Sequence, residues 1–113
     1  MSTSNDLVRG TIVPVVLKLL SEREMYGYEM VKEVNRRSGG VLEWKEGTLY
    51  PALHKLQVAR LVSASWQEAP TGEAGSRKRK YYHITAKGKR ELAKRAGEWK
   101  EFSAAVSMLV LGV

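Results

Sequence analysis

The hydrophobic period of this chain changes twice. Up to Arg60 the apolar residues recur at helical spacing, from Leu61 to Gln67 they alternate, and beyond Thr85 the helical spacing returns. A chain that passes from a period of about 3.6 to a period of 2 and back places strands between helices. Its 113 residues leave room for one small domain and one appended element.

Prolines and glycines set the boundaries. Ile12, Val13, Val16, Leu17, Leu19 and Leu20 define a first helix. Pro14 is tolerable there only in the first turn, where backbone N–H groups lack partners anyway, so the helix begins near Gly10–Thr11. Residues 1–6 are polar and read as a frayed end. After a polar break at Ser21–Glu24, Gly27 opens a second helix with Met30, Val31 and Val34 inward, ended by Ser38-Gly39-Gly40. Residues 41–45 connect it to a third helix over Gly47–Arg60, where Leu49, Ala52, Leu53 and Leu56 form one apolar face. Pro51 is expected in the first turn of this helix, which makes Thr48 its N-cap.

Leu61–Gln67 (LVSASWQ) reads as a strand, and Pro70, Gly72 and Gly75 mark a loop. Arg77–Thr85 (RKRKYYHIT) reads as the returning strand, with one of Tyr81 and Tyr82 inward and the other outward. Thr85 caps a last helix in which Leu92, Trp99, Val106 and Val113 recur every seven residues. Ala96, Ser103 and Val110 follow four further on, with Phe102 and Leu109 alongside. Gly88 and Gly97 each weaken that helix by about 1 kcal/mol relative to alanine.

The formal charge is +7, and all of it is local. Residues 1–76 carry nine Lys/Arg against nine Asp/Glu, and residues 91–113 carry three against three. The excess is Arg77, Lys78, Arg79, Lys80, Lys87, Lys89 and Arg90, with no acid among them. Charge concentrated in this way suggests a contact surface for a polyanion. The absence of cysteine excludes a disulfide framework, a thiol nucleophile and cysteine-ligated zinc. Two histidines without carboxylates at ligand spacing argue against any metal site. No glycine-rich nucleotide fingerprint exists, and no acid, base and nucleophile converge, so the expectation is neither an enzyme nor a cofactor protein. No secretory signal and no run of about 18 apolar residues is present, so no membrane partner is expected and the expected location is the cytoplasm.

Helix, helix, helix, strand, strand, helix is the order of a winged helix-turn-helix with an added C-terminal helix. The fold class is mainly α with a small two-stranded β-wing (α+β). In that arrangement the third helix enters the major groove and the hairpin flanks it. At about 100° per residue from Leu49, the core positions lie within about 60°, while Tyr50, Pro51, His54, Lys55 and Val58 lie between about 100° and 240°. A phenol, an imidazole and an ammonium on that face can reach base edges or phosphates, or can simply be solvated. Arg77, Lys78, Arg79 and Lys80 alternate sides along their strand, so about half face one phosphate backbone, unless they form only a solvated basic hairpin. Val106, Met108, Leu109, Val110, Leu111 and Val113 make an apolar end that a small monomer cannot cover, which predicts a homodimer.

Three motifs carry a closer likeness. They are Met25-Tyr26-Gly27-Tyr28-Glu29-Met30, then Gly47-Thr48-Leu49-Tyr50-Pro51-Ala52-Leu53-His54-Lys55-Leu56, then Arg79-Lys80-Tyr81-Tyr82-His83-Ile84-Thr85 with Gly88 three further on. In this order and spacing the sequence resembles the PadR family of bacterial transcriptional regulators, in its compact branch, over about residues 7–111. The resemblance implies a winged helix-turn-helix DNA-binding domain over residues 7–85 and a dimerisation helix over 86–113. It implies a sequence-specific regulator, a ligand-responsive repressor that binds a pseudo-palindromic operator in double-stranded DNA as a homodimer. Gly47, Thr48, Tyr50, Pro51, His54 and Lys55 would belong to the recognition helix, and Tyr26 and Tyr28 would lie near backbone phosphates. Leu92, Ala96, Trp99, Phe102, Val106, Leu109 and Val110 would form the dimer interface.

Trp99 matches a tryptophan against which some members hold flat aromatic effectors at the dimer centre; it reads either as dimer core or as that platform. Trp44 and Trp66 acquire no role. One departure stands out, because Arg60 occupies a place where the family usually carries glycine. A left-handed helix end there costs a non-glycine residue about 1 kcal/mol. Either the turn differs or Arg60 bears the strain. The rivals are a winged helix that binds only protein, whose binding salt would barely affect, and an RNA binder, for which a two-stranded wing is a poor platform.

Overall fold

Eight elements are present in the computed structural model, which describes residues 5–68 and 78–112. They are α1 (Asn5–Arg9), α2 (Ile12–Glu22), β1 (Met25–Tyr26), α3 (Gly27–Arg37), α4 (Glu46–Val58), β2 (Val62–Glu68), β3 (Lys78–Ile84) and α5 (Ala86–Leu111). Arg77, Val113 and the loop around Pro70, Gly72 and Gly75 lie outside the described residues.

Pro14 is the third residue of α2, inside the first turn, as its missing N–H requires. α3 ends where the glycines stand. Gly39 and Gly40 take left-handed φ of 60° and 82°, and their N–H groups bond back to the carbonyls of Arg36 (3.2 Å) and Asn35 (2.8 Å). Val16 and Leu17 of α2, Met30 of α3, and Leu49 and Leu53 of α4 are fully buried, so the three helices share one core. Trp44 joins them at 2% exposure. Its backbone is clamped from α3: the Trp44 N–H donates to Asn35 Oδ1 (2.7 Å), and Asn35 Nδ2 donates to the Trp44 carbonyl (3.0 Å). The connector between α3 and α4 is thereby tied into the core.

Several boundaries differ from the sequence expectation. α4 begins at Glu46, not near Thr48, because the Lys45 carbonyl already accepts from the N–H groups of Thr48 (3.0 Å) and Leu49 (3.1 Å). Thr48 is therefore the third residue of the helix rather than its cap. Pro51 is the sixth, past the first turn, and leaves the Gly47 carbonyl without its usual partner. α2 continues through Ser21 and Glu22, which shortens the polar break.

Met25 and Tyr26, for which no strand is expected from the sequence, form a short one opposite Tyr82 and Tyr81. The wing is the antiparallel pair β2–β3, from Val62↔Ile84 to Glu68↔Lys78, and β1 adds a third strand in the order β1-β3-β2. Tyr82 points inward and is buried, while Tyr81 lies on the other face.

The end of α4 resolves the question of Arg60. Its φ is 62°, left-handed. The N–H of Arg60 bonds to the Gln57 carbonyl (3.0 Å) and that of Leu61 to the Leu56 carbonyl (2.9 Å), a complete Schellman pair. The turn is the one glycine would make, and Arg60 bears the strain.

Thr85 caps α5 as expected, accepting the Gly88 N–H at 3.0 Å. Gly88 itself is no weakness. It is buried, and a Cβ there would collide with the Leu61 carbonyl oxygen and the Ile84 side chain. Only glycine lets α5 pass that close to the root of the wing. Gly97 has open space around it.

Candidate nucleic-acid interface

The face of α4 away from the core carries Pro51, His54 and Val58, all exposed, with Val58 at 71%. At about 100° per residue, Thr48 and Lys55 fall together on one flank of that face and Tyr50 on the other. The Thr48 flank borders a cleft of about 460 Å³ between α1, the start of α2 and α4, where Arg9 and Lys55 stand among Val8, Ile12 and Pro51. Arg9 drew no attention in the sequence, since a lone cation ahead of a helix carries no pattern.

Tyr50 is less free than the helical wheel suggests. It keeps 42% of its surface, but its phenol lies back across Gly27, where any Cβ would strike it. Burial, helped by the Glu46 carboxylate, raises the Tyr50 hydroxyl above the ordinary phenol value. Tyr82 is raised the same way, by burial and then by Tyr50. Tyr50 thus packs between α4 and the start of α3.

The wing cations separate by strand alternation. Lys78 and Lys80 share a face with Tyr82, and Lys80 Nζ stands 5.5 Å from the centre of the Tyr82 ring. Arg79 lies on the opposite face, its guanidinium 4.5 Å from the Tyr26 ring centre, with Tyr26 edge-on to Tyr81 at 5.6 Å. Tyr28 is half exposed and has Lys32 Nζ 5.6 Å from its ring centre. Each of the two tyrosines assigned to phosphates thus holds a cation on its face.

Four arginines outside the wing are paired instead. Arg23 meets Glu29 (2.6 Å), Arg37 meets Glu22 (2.6 Å) and Glu33 (2.7 Å), Arg36 meets Glu33, and Arg95 meets Glu91 (2.6 Å). Hydrogen bonds from Arg36 and Arg37 hold the Glu33 carboxyl down at about 2, and Glu22 and Glu33 hold Arg37 well above its ordinary value. Among the described residues, none of Lys78, Arg79, Lys80, Lys87, Lys89 and Arg90 is in ion-pairing reach of a carboxylate. Lys87 donates to the Ala59 carbonyl (2.9 Å).

One convergence was not foreseen. His83 Nδ1 is 3.1 Å from Glu24 Oε2, His83 Nε2 is 2.9 Å from Ser65 Oγ, and Gln67 donates to both Glu24 and Ser65 (3.2 Å each). Acid, imidazole and hydroxyl do stand in a row, contrary to the expectation that no such set converges. The row lies on the outer strand face and borders neither the cleft beside α4 nor the groove between α2 and the end of α3. Its visible effect is to tie both wing strands to the segment before β1.

α5 is rooted where the wing begins and ends. The Thr85 hydroxyl lies 2.8 Å from the Arg60 carbonyl and 3.1 Å from that of Leu61, and the Thr85 N–H donates to Leu61 (3.1 Å). Beyond Gly88 no residue of α5 is buried. Leu92, expected in a dimer interface, is partly buried and packs against the chain's own core. Ala96, Trp99, Phe102, Val106, Leu109 and Val110 are exposed, with Trp99 and Phe102 ring centres 6.2 Å apart. Among the described residues no helix is long and apolar enough to cross a membrane.

Residues 16–94 match the model of the transcriptional regulator PadR-like family. An uncharacterised protein of Lysinibacillus sphaericus is 31% identical over 109 residues, 96% of each chain. A transcriptional regulator from Clostridium thermocellum has a similar structure (TM-score 0.82, 29% identity, covering 96% of this chain and 98% of that one). A PadR-like transcriptional regulator from Bacillus cereus is similar too (TM-score 0.79, 30% identity, 94% and 97%).

Proposed function

From the premise that the chain belongs to the PadR-like family and is a DNA-binding regulator of transcription, we propose that it is a sequence-specific, ligand-responsive repressor acting in the cytoplasm as a homodimer on a pseudo-palindromic operator. Residues 7–85 are the DNA-binding unit and 86–113 the dimerisation helix. Thr48, Pro51, His54 and Lys55 of α4 read the major groove, and Tyr50 sets the angle of α4 against α3 while offering its exposed edge. Arg77, Lys78, Arg79 and Lys80 neutralise phosphates, with Tyr26 and Tyr28 orienting cations at the start of α3. The observation that carries this reading is the contrast between Arg23, Arg37 and Arg95, each paired with a carboxylate, and the wing cations Lys78, Arg79 and Lys80, which meet no carboxylate among the described residues.

Ala96, Trp99, Phe102, Val106, Leu109 and Val110 meet their counterparts in a second copy. A planar aromatic effector against Trp99 changes the angle between the two α5 helices, and its effect equals its differential affinity for the two arrangements. The joint of Thr85 and Gly88 with Arg60 and Leu61 transmits that angle to the end of α4.

The test is selection of duplexes from a random pool, repeated with Lys55→Ala and with Lys78 and Lys80 both changed to alanine. Lys55→Ala is expected to relax sequence preference. The wing variant is expected to weaken all duplexes alike and to lower the salt slope by about two. Binding indifferent to salt would favour a protein-interaction module instead.

A further inference from the structure

Among the described residues Trp66 has no partner that explains it. It is 66% exposed, on β2, four residues past Val62, which is in the core. The register puts Val62 opposite Ile84, Ala64 opposite Tyr82 and Trp66 opposite Lys80. These residues share one sheet face. That face starts under the helices at Val62 and Tyr82 and emerges from the protein at Trp66. β2 packs against α4, so the exposed indole stands on a strand that carries on outward from that helix. Lys80 lies directly across from it, and Lys78 is the next cation on the same face, opposite Glu68.

A helix about 10–12 Å across fills a major groove about 12 Å wide. An element on its flank therefore meets the sugar–phosphate ridge and the minor groove beyond it. A flat apolar ring on the same sheet face as two lysines matches that target: the cations take phosphates, and the ring takes deoxyribose or an unstacked base edge. We propose that Trp66, on the same wing face as Lys78 and Lys80, is a DNA-contacting residue that lays its indole against the minor groove beside each half-site and adds affinity that salt does not screen. This deepens, and rests on, the reading of the chain as a DNA-binding regulator.

The experiment uses the full chain and duplexes enriched from a random pool by the wild type. Affinity is measured against potassium chloride concentration for the wild type, Trp66→Ala, Trp66→Phe and Lys80→Ala. Trp66→Ala is expected to weaken binding about 10- to 100-fold at every salt concentration with an unchanged slope. Trp66→Phe restores most of the loss, and Lys80→Ala lowers the slope by about one. In a Trp99→Phe background, indole emission is quenched by duplex, and the quenching disappears with Trp66→Phe. Trp66→Ala binding within twofold of the wild type, or with a reduced slope, overturns the proposal and leaves the ring to a protein contact. A wild type that enriches no duplex overturns the DNA-binding reading along with it.

Discussion

α2 and α5 are both helices with an apolar side, and they use it in opposite ways. Of the 11 residues of α2, Ile12, Val16, Leu17, Leu19 and Leu20 are buried. Of the 26 residues of α5, only Gly88 is. Yet the last stretch of α5, Ala104–Leu111, is the more apolar, and Leu109 stands 84% exposed. The apolar residues of α2 are satisfied inside the chain, whereas those of α5 past Leu92 stand exposed on it. The difference teaches that hydrophobic periodicity marks a buried face without saying which molecule buries it.

The sharpest way to break this comparison is at Phe102. If two copies bury each other's α5, Phe102→Ala removes the ring twice per dimer, at about 2 kcal/mol each. The dimer dissociation constant should then rise by roughly a thousand-fold, measured by sedimentation across a dilution series, while the melting of the separated chain stays where it was. An equal loss in the monomer would mean that α5 is packed on its own body after all.

The next effect separates the root of α5 from its arm. Gly88→Ala forces a Cβ into the backbone of Leu61 and should cost about 3 kcal/mol in denaturant unfolding. Gly97→Ala meets nothing and should stabilise the helix by up to about 1 kcal/mol. Two identical substitutions nine positions apart thus differ in sign, and equal signs would contradict the docking of α5 at Leu61.

The smallest effect concerns the body alone. The Glu33 carboxyl is held at about 2 against an ordinary 4.5. Its folded value is depressed, so its contribution is present above about 4.5 and is lost as pH falls toward 2. The melting midpoint of Glu33→Gln should lie below that of the wild type at neutral pH and converge with it in acid. The carboxyl is partly open to solvent and its arginine partners are exposed, so the difference is small.

Much of the fold was legible because it depends on local chemistry. Pro14 phased α2, Gly39 and Gly40 stopped α3, Thr85 capped α5, and alternation gave the two wing strands. What escaped was set by partners distant in sequence. Trp44 is buried because Asn35 clamps its backbone, and nothing in a five-residue connector announces that. β1 is two residues long and exists only because β3 runs beside it. Gly88 looked like a flaw by helix propensity, since the obstacle it avoids is a carbonyl 27 positions earlier.

The candidate interface followed the same rule. The α4 face and the wing cations could be located from spacing and charge. The retreat of Tyr50 onto Gly27, the stack of Arg79 on Tyr26 and the exposure of Trp66 required the sheet register. Arg60 is the instructive middle case: its position announced a left-handed turn, its identity argued against one, and the backbone hydrogen bonds prevailed.

The seating of Gly88 against Leu61 has a metric consequence. α5 leaves the body one turn past the wing, at an angle held by backbone groups, and it gives the molecule its long dimension of 56 Å against 33 and 21 Å. In the proposed dimer two such arms joined at their far ends behave as a ruler, with the graduations cut into each chain before the copies meet. Inserting a single base pair between half-sites shifts one of them by about 3.4 Å and turns it by about 35° about the duplex axis. A flexible tether would absorb that offset; an arm seated by a glycine against a carbonyl would reject it.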